Sequence, residues 1–209
     1  MFKYKIIENF LSEVDFKNLC SIKLKKVDEK EISVYHNAIY KDGRIEAECL
    51  DDETLKRLQK NCHDKAIAIL KELAPKKVSL YEYSEFHIIE TGSKCSFPIH
   101  SDTANKLLSG VIYLMPESNK GTFLYESRGG KNPTEIEWKQ NKALFFSREE
   151  GKSWHSYEGD KESNRIALVY NLMTTNIKGV CEVENVSYSL NRFKEFTNPY
   201  LLRLFNRVL

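Results

Sequence analysis

His100-Ser101-Asp102 and His155 are the residues of this 209-residue chain best suited to holding a metal ion. Imidazole and carboxylate together suit ferrous iron, and two histidines with one carboxylate leave coordination positions open for small ligands. In an extended segment residues i and i+2 point the same way, so His100 and Asp102 can face one ion. A His-x-Asp triplet alone is commonplace. Its weight grows because His155 lies in a separate β-type run and Arg165 opens another, otherwise apolar one. A guanidinium there can grip the remote carboxylate of a dicarboxylic acid with a bidentate fork, and leaving it buried and unpaired would be costly.

The elements that must position these groups fall into three stretches. Residues 1–75 read as a mainly helical lead-in. Ser12 can cap a helix carrying Phe16, Leu19 and Ile22 on one face. Glu31 to Tyr40 has the β-branched and aromatic content of a strand. From Asp51 a longer helix is signalled by Leu55, Leu58, Cys62, Ala66, Ile69 and Leu73, with Pro75 after its end. Residues 76–175 change to short alternating or apolar runs separated by turn residues. There are about eight by that spacing rule: Val78 to Glu90, Phe97 to Asp102, Leu107 to Met115, Thr122 to Glu126, Thr134 to Trp138, Lys142 to Ser147, Ser153 to Tyr157 and Arg165 to Met173. Eight antiparallel strands in two facing sheets make a jelly roll, a double-stranded β-helix of the cupin-like kind. In that topology the second and seventh strands are neighbours, which brings His155 to His100 and Asp102. The third and eighth adjoin too, so Tyr113 can share the carboxylate held by Arg165. Residues 176–209 form a tail with Phe193, Phe196, Leu201, Leu202 and Phe205 at roughly helical spacing, interrupted by Pro199. It predicts one or two short helices packed on the outside.

Composition narrows the class. Hydrophobic residues at 41% and charged residues at 30%, with nine Gly and five Pro, describe an ordinary globular protein, read as a single domain over 1–209. No apolar run reaches membrane-spanning length, and Met1-Phe2-Lys3-Tyr4-Lys5 is followed too soon by Glu8 for a secretion signal. A cytoplasmic protein without a membrane partner is expected. Cys20, Cys49, Cys62, Cys95 and Cys181 are scattered and odd in number, which argues against a disulfide framework. A net charge of +2 with acids and bases interleaved offers no basic stripe for phosphate backbones, so nucleic acid is not expected as a partner.

The run from about Tyr81 to Met173 resembles the catalytic core of the 2-oxoglutarate/Fe(II)-dependent dioxygenase superfamily, most closely its prolyl-hydroxylase-like branch. The matching pieces are Phe97-Pro98-Ile99-His100-Ser101-Asp102-Thr103, Ser109-Gly110-Val111-Ile112-Tyr113-Leu114, Gly121-Thr122-Phe123, Ala143-Leu144-Phe145-Phe146-Ser147, Ser153-Trp154-His155-Ser156 and Asn164-Arg165-Ile166-Ala167-Leu168. Their order carries the likeness, since each piece alone is commonplace. The resemblance implies His100, Asp102 and His155 as iron ligands at the catalytic centre, Arg165 as anchor of the distal carboxylate of 2-oxoglutarate, and Tyr113 as its helper. It implies Fe(II) and 2-oxoglutarate as cofactor and co-substrate, ascorbate as a candidate reductant, dioxygen as second substrate, and hydroxylation of an unactivated C–H bond with release of succinate and CO2. The sequence departs from the pattern at two places. Glu90 stands where the prolyl-hydroxylase branch usually has a tyrosine, with Tyr81 and Tyr83 earlier on the same strand. Asn171 stands where nucleic-acid repair members carry a second arginine. The presence of Asp102 argues against a halogenase, which needs that coordination position free.

Two other readings use the same residues. One is a non-catalytic jelly-roll module binding a metal or carbohydrate, and the other is a cupin-like enzyme working without 2-oxoglutarate. The substrate expected of the oxygenase is a peptidyl side chain, a free amino acid or another small metabolite, and the lead-in and tail offer surfaces for a homodimer. His36, His63 and His87 read as hydrogen-bonded core residues, and Trp154 as packing beside the metal. Arg148-Glu149-Glu150-Gly151-Lys152 and the Ser127 to Pro133 loop read as solvated turns.

Overall fold

Two hydrophobic periodicities divide the chain, one near 3.6 residues over its helices and one of two over its strands. The computed structural model describes residues 2–205; Met1 and the end of the expected tail at 206–209 lie outside the described residues. In chain order the elements are β1 (Tyr4–Ile7), α1 (Glu13–Cys20), β2 (Ile32–Tyr35), β3 (Asn37–Tyr40), β4 (Ile45–Ala47) and α2 (Asp52–Leu73). A 3-10 turn over Pro75–Leu80 follows. Then come β5 (Tyr83–Thr91), β6 (Ser96–His100), β7 (Lys106–Met115), β8 (Thr122–Tyr125), β9 (Thr134–Ile136), β10 (Ala143–Phe146), β11 (Trp154–Glu158), β12 (Arg165–Met173), α3 (Ile177–Glu184) and α4 (Tyr188–Phe205).

β5 to β12 are the eight expected core runs, and they form the jelly roll. One sheet has the order β1-β10-β7-β12-β5-β3-β4, with β2 also pairing β5, and the facing sheet is β6-β11-β8-β9. The lead-in thus does more than supply helices: its four short strands widen the larger sheet. The single strand expected over Glu31 to Tyr40 is two, β2 and β3, broken at His36. Asn37 locks this corner. It is fully buried, and its Oδ1 accepts from the backbone N–H groups of Glu48, Cys49 and Leu50 while its Nδ2 donates to the carbonyl of Phe86.

Helix α1 starts where Ser12 accepts from the Asp15 N–H, and α2 starts where Asp51 accepts from the Thr54 N–H. Buried Asp15 ties the two together by pairing with Arg57 at 2.7 Å. The face of α2 carrying Leu55, Leu58, Cys62, Ala66, Ile69 and Leu70 is buried on the outer face of the larger sheet, against Phe86, Ile88, Leu108, Phe145, Leu168 and Tyr170. There Phe86 stacks on Tyr170 at 4.4 Å. Gly110 lets β10 approach, since a Cβ on it would stand 2.3 Å from the Phe145 ring.

The C-terminal helices are fastened by charge rather than by the expected apolar stripe. Phe193 and Phe196 are 58% and 70% exposed, and α4 runs as one helix through position 199. Arg148, read from the sequence as part of a solvated turn, is 2% exposed. Its guanidinium pairs with Glu184 of α3 and with Glu150, and donates to Asn191 Oδ1 of α4 at 3.1 Å. Lys77 reaches the same Glu184 at 2.6 Å. The correction has a physical cause: a charge run is solvated only when no counter-charge from elsewhere covers it, and here α3 does.

Truncating a fully buried leucine costs about 2–5 kcal/mol. Leu58→Ala is therefore expected to lower unfolding free energy by about that much, read from urea denaturation. A loss well below 1 kcal/mol, roughly a surface value, would show that α2 is not seated on the core.

Candidate metal centre and co-substrate pocket

Pairing of β6 with β11 sets His155 directly opposite His100. Their rings lie 4.1 Å apart between centroids. Asp102, two residues beyond His100, returns its carboxylate to the same point. One ligand atom from each of the three residues lies within 4.8 Å of the others. Each imidazole is oriented by the backbone: His100 Nδ1 lies 2.9 Å from the Pro98 carbonyl and His155 Nδ1 lies 3.1 Å from the Ser153 carbonyl. With Nδ1–H donating to these oxygens, Nε2 of each ring carries the free lone pair. Burial, and then the neighbouring His155, push the His100 pKa down to about 3, so the ring is unprotonated at neutral pH and free to ligate.

Asp102 is 9% exposed. Burial alone would raise its pKa, but Lys106 and the two histidines outweigh it and hold the carboxyl well below the usual range. Lys106 donates to Oδ1 at 2.8 Å and Ser109 to Oδ2 at 2.6 Å. Behind it, Arg148 Nε donates to the Asp102 carbonyl at 3.1 Å, which joins the buried charge cluster of the C-terminal helices to the backbone of a candidate metal ligand. Phe146 closes one side, 4.8 Å from the His155 ring.

Arg165 heads β12 on the inner face of the larger sheet and is 8% exposed. Its guanidinium lies over the Tyr157 ring at 3.2 Å and 5.4 Å from the Trp138 ring. Nε donates to Thr91 Oγ1 at 3.2 Å, and a terminal nitrogen to the Lys120 carbonyl at 3.4 Å. Burial lowers its pKa to about 10, which still leaves it charged. Among the described residues no carboxylate forms an ion pair with it. A desolvated guanidinium in that condition is a seat for an anion. Tyr113 lies beside it on β7, opposite Ala167, but its hydroxyl is engaged: it donates to Thr122 Oγ1 at 3.0 Å and accepts from the Thr122 N–H at 3.1 Å. Its ring stacks on Trp138 at 4.5 Å.

The structure therefore brings His100, Asp102 and His155 together and puts Arg165 and Tyr113 in one pocket of the same interior. Glu90 pairs with Ile166 rather than Arg165, so it faces the outer side, where Asn164 donates to it at 3.3 Å. Tyr81 is also outside, its ring tilted against that of His63 at 5.0 Å. The aromatic partner that sequence reasoning missed is Tyr157. It lies two residues past His155 on β11, and that spacing alone could have pointed to it. Thr91, which sits opposite Arg165 in the β5–β12 register, was missed as well. His36 is exposed rather than a core residue, and it meets His87 edge-on at 4.6 Å.

No protein-family model matches the sequence, and none of the curated proteins does. Solved structures do match. The chain is similar to a Pseudomonas putida prolyl-4-hydroxylase at 12% identity and a TM-score of 0.56, over 84% of this chain and 95% of that one. It is similar to a 2OG-Fe(II) oxygenase family oxidoreductase from Burkholderia pseudomallei at 13% identity and a TM-score of 0.56, over 81% and 84% of the two chains. A third similar structure is a Trichoplax adhaerens prolyl hydroxylase in complex with a hypoxia inducible factor oxygen degradation domain peptide fragment, at 16% identity and a TM-score of 0.56, over 85% and 86%. This chain has the fold of those oxygenases, a jelly roll with flanking helices.

Proposed function

We propose that this protein is an Fe(II)- and 2-oxoglutarate-dependent dioxygenase of the prolyl-hydroxylase-like branch. The observation that carries the reading is the coexistence, in one barrel interior, of a three-donor metal group and a buried guanidinium without a counter-anion. The metal group alone would suit a cupin-like enzyme or a binding module. The uncompensated cation asks for a carboxylate as well.

The donor set fits ferrous iron: two neutral imidazoles and one anionic carboxylate, with no further His, Cys, Asp or Glu donor grouped with them among the described residues. His100 and His155 would coordinate through Nε2 and Asp102 through a carboxylate oxygen. Bound there, Fe(II) would supply, with 2-oxoglutarate and dioxygen, the coupling of oxidative decarboxylation to hydroxylation of an unactivated C–H bond, with succinate and CO2 released. Arg165 would hold the distal carboxylate through its terminal nitrogens, with Tyr157 beneath the guanidinium plane and Trp138 beside it keeping water away. Thr91 fixes the Nε side so that the fork points inward, and the Tyr113 hydroxyl is near enough to join the carboxylate by turning from Thr122. A peptidyl substrate accords with the peptide-bound Trichoplax structure.

Three outcomes test this. Anaerobic addition of Fe(II) and 2-oxoglutarate is expected to raise a visible charge-transfer band, and His155→Ala to abolish both the band and succinate release with ascorbate present as reductant. Succinate formation at the wild-type rate by that variant would remove the ligand assignment. Arg165→Ala is expected to raise the KM for 2-oxoglutarate by about tenfold to a hundredfold, because a hydrogen bond to a charged group is worth about 1.5–3 kcal/mol; activity that needs no 2-oxoglutarate and is left intact in Arg165→Ala favours the cupin-like reading. Arg148→Met leaves the ligands in place but frees the Asp102 backbone, and is expected to weaken Co(II) or Fe(II) affinity by about tenfold or more, read by titration with the Tm followed alongside.

A further inference from the structure

The inner face of the larger sheet continues past the metal group to a second polar row. In the strand registers Ser109 of β7, Asn171 of β12 and Glu85 of β5 lie side by side. Ser109 bonds Asp102, so Glu85 stands two strand spacings, about 10 Å, from the residue that holds a metal ligand. Asn171 is fully buried. Its Nδ2 donates to Glu85 Oε2 at 3.3 Å, and its Oδ1 accepts nothing. Glu85 is enclosed too, its side chain 16% exposed. Its one ion-pair contact is His87 Nε2 at 3.4 Å, and burial lowers the pKa of that ring to about 4, so it brings no charge at neutral pH. Burial raises the pKa of Glu85, and the Asn171 hydrogen bond and the charge of Lys106 act against that shift, although Lys106 is itself bonded to Asp102 at 2.8 Å.

Among the described residues Glu85 thus has one hydrogen-bond donor, Asn171 Nδ2, and no lysine or arginine in ion-pair contact, while Asn171 Oδ1 has no donor at all. Buried polar groups are ordinarily satisfied, and an enclosed carboxylate without a counter-charge is costly. Tyr83, two residues before Glu85 on the same face, extends this wall with an aromatic ring stacked on Tyr40 at 4.9 Å. A ligand bearing several N–H donors and a positive charge answers each feature: Glu85 takes the charge, Asn171 Oδ1 takes a donor, and the tyrosine face accepts the cation or its methylene stem.

We propose that Glu85 and Asn171 form the specificity pocket for the prime substrate and that this substrate carries an organic cation, an ammonium or guanidinium, on the portion next to the carbon to be oxidised. The proposal rests on the oxygenase reading for the oxidation itself, while binding of the cation stands apart from it.

The test is a ¹H–¹⁵N NMR titration of the metal-free protein with N-acetyl-lysine methylamide, N-acetyl-arginine methylamide and the neutral isostere N-acetyl-norleucine methylamide. Either cationic probe is expected to shift the Glu85, His87 and Asn171 resonances and to bind about tenfold or more tighter than the norleucine compound, as a charge-assisted hydrogen bond warrants. Glu85→Gln, close to isosteric, is expected to erase that preference, and Asn171→Ser to weaken it several-fold, about one hydrogen bond's worth. Equal binding of the neutral isostere, no binding of either cation, or an unaltered preference in Glu85→Gln overturns the proposal. In a second arm the loaded wild-type enzyme is expected to release succinate faster with a cationic probe than with the neutral one. The charge-transfer band is read in wild-type protein without any probe, so its absence counts against the oxygenase reading and leaves the cation pocket to the titration.

Discussion

The antiparallel pairing of β6 with β11 is the contact on which the rest depends. It sets two imidazoles side by side, their planes tilted 50° apart, from positions far apart in sequence, and the short step from His100 to Asp102 adds the carboxylate. Because side chains alternate with period two, a slip of one residue in this pairing would turn His155 out of the barrel. The neighbouring strand β8 pairs with β11 over four consecutive residues and helps pin the register. Across the gap between the sheets, Arg165 from the larger sheet reaches the Tyr157 ring from the smaller one. The metal group and the anion seat are therefore held by both walls of the sandwich.

An interior lined with Asp102, Lys106, Arg165, Glu85 and Asn171 cannot be where the fold gets its stability. Desolvating those groups opposes folding, and the compensation lies on the other side of the same sheet. Helix α2 and the outer faces of β5, β7, β10 and β12 make one large apolar cluster, in which Leu55, Leu58, Leu70, Phe86, Ile88 and Leu168 are completely buried. The larger sheet thus carries two roles on its two faces. This division also explains its width: the lead-in strands enlarge the area on which the helix rests.

Much of this was legible in the sequence because it is local. Alternation marked all eight core strands within a few residues, and Ser12 and Asp51 marked both early helix starts. The metal group followed from combining a strand's period with jelly-roll adjacency. What escaped was set by long-range partners. Arg148 sits in a charged stretch that looks solvated, and Glu184, thirty-six positions away, joins the local Glu150 in making its burial tolerable. Tyr157 lies two residues past His155, but its partner Arg165 comes from the other sheet, so only the packing of the two sheets reveals the contact. The row of Glu85 and Asn171 emerged only from the pairing of β5 with β12, since each residue alone is an ordinary polar member of an alternating strand.

The guanidinium of Arg148 touches the Asp102 carbonyl at one edge and carboxylates of the tail and its loop at the others. Under the proposed function such a bridge would link docking of the last two helices to occupancy of the ion site. By reciprocity, whatever seated the helix pair more firmly would then raise affinity for the ion, and filling the site would raise, by the same free energy, the cost of peeling the helices away. The carboxy-terminal segment would in this sense act as an effector of the barrel rather than a lid on it.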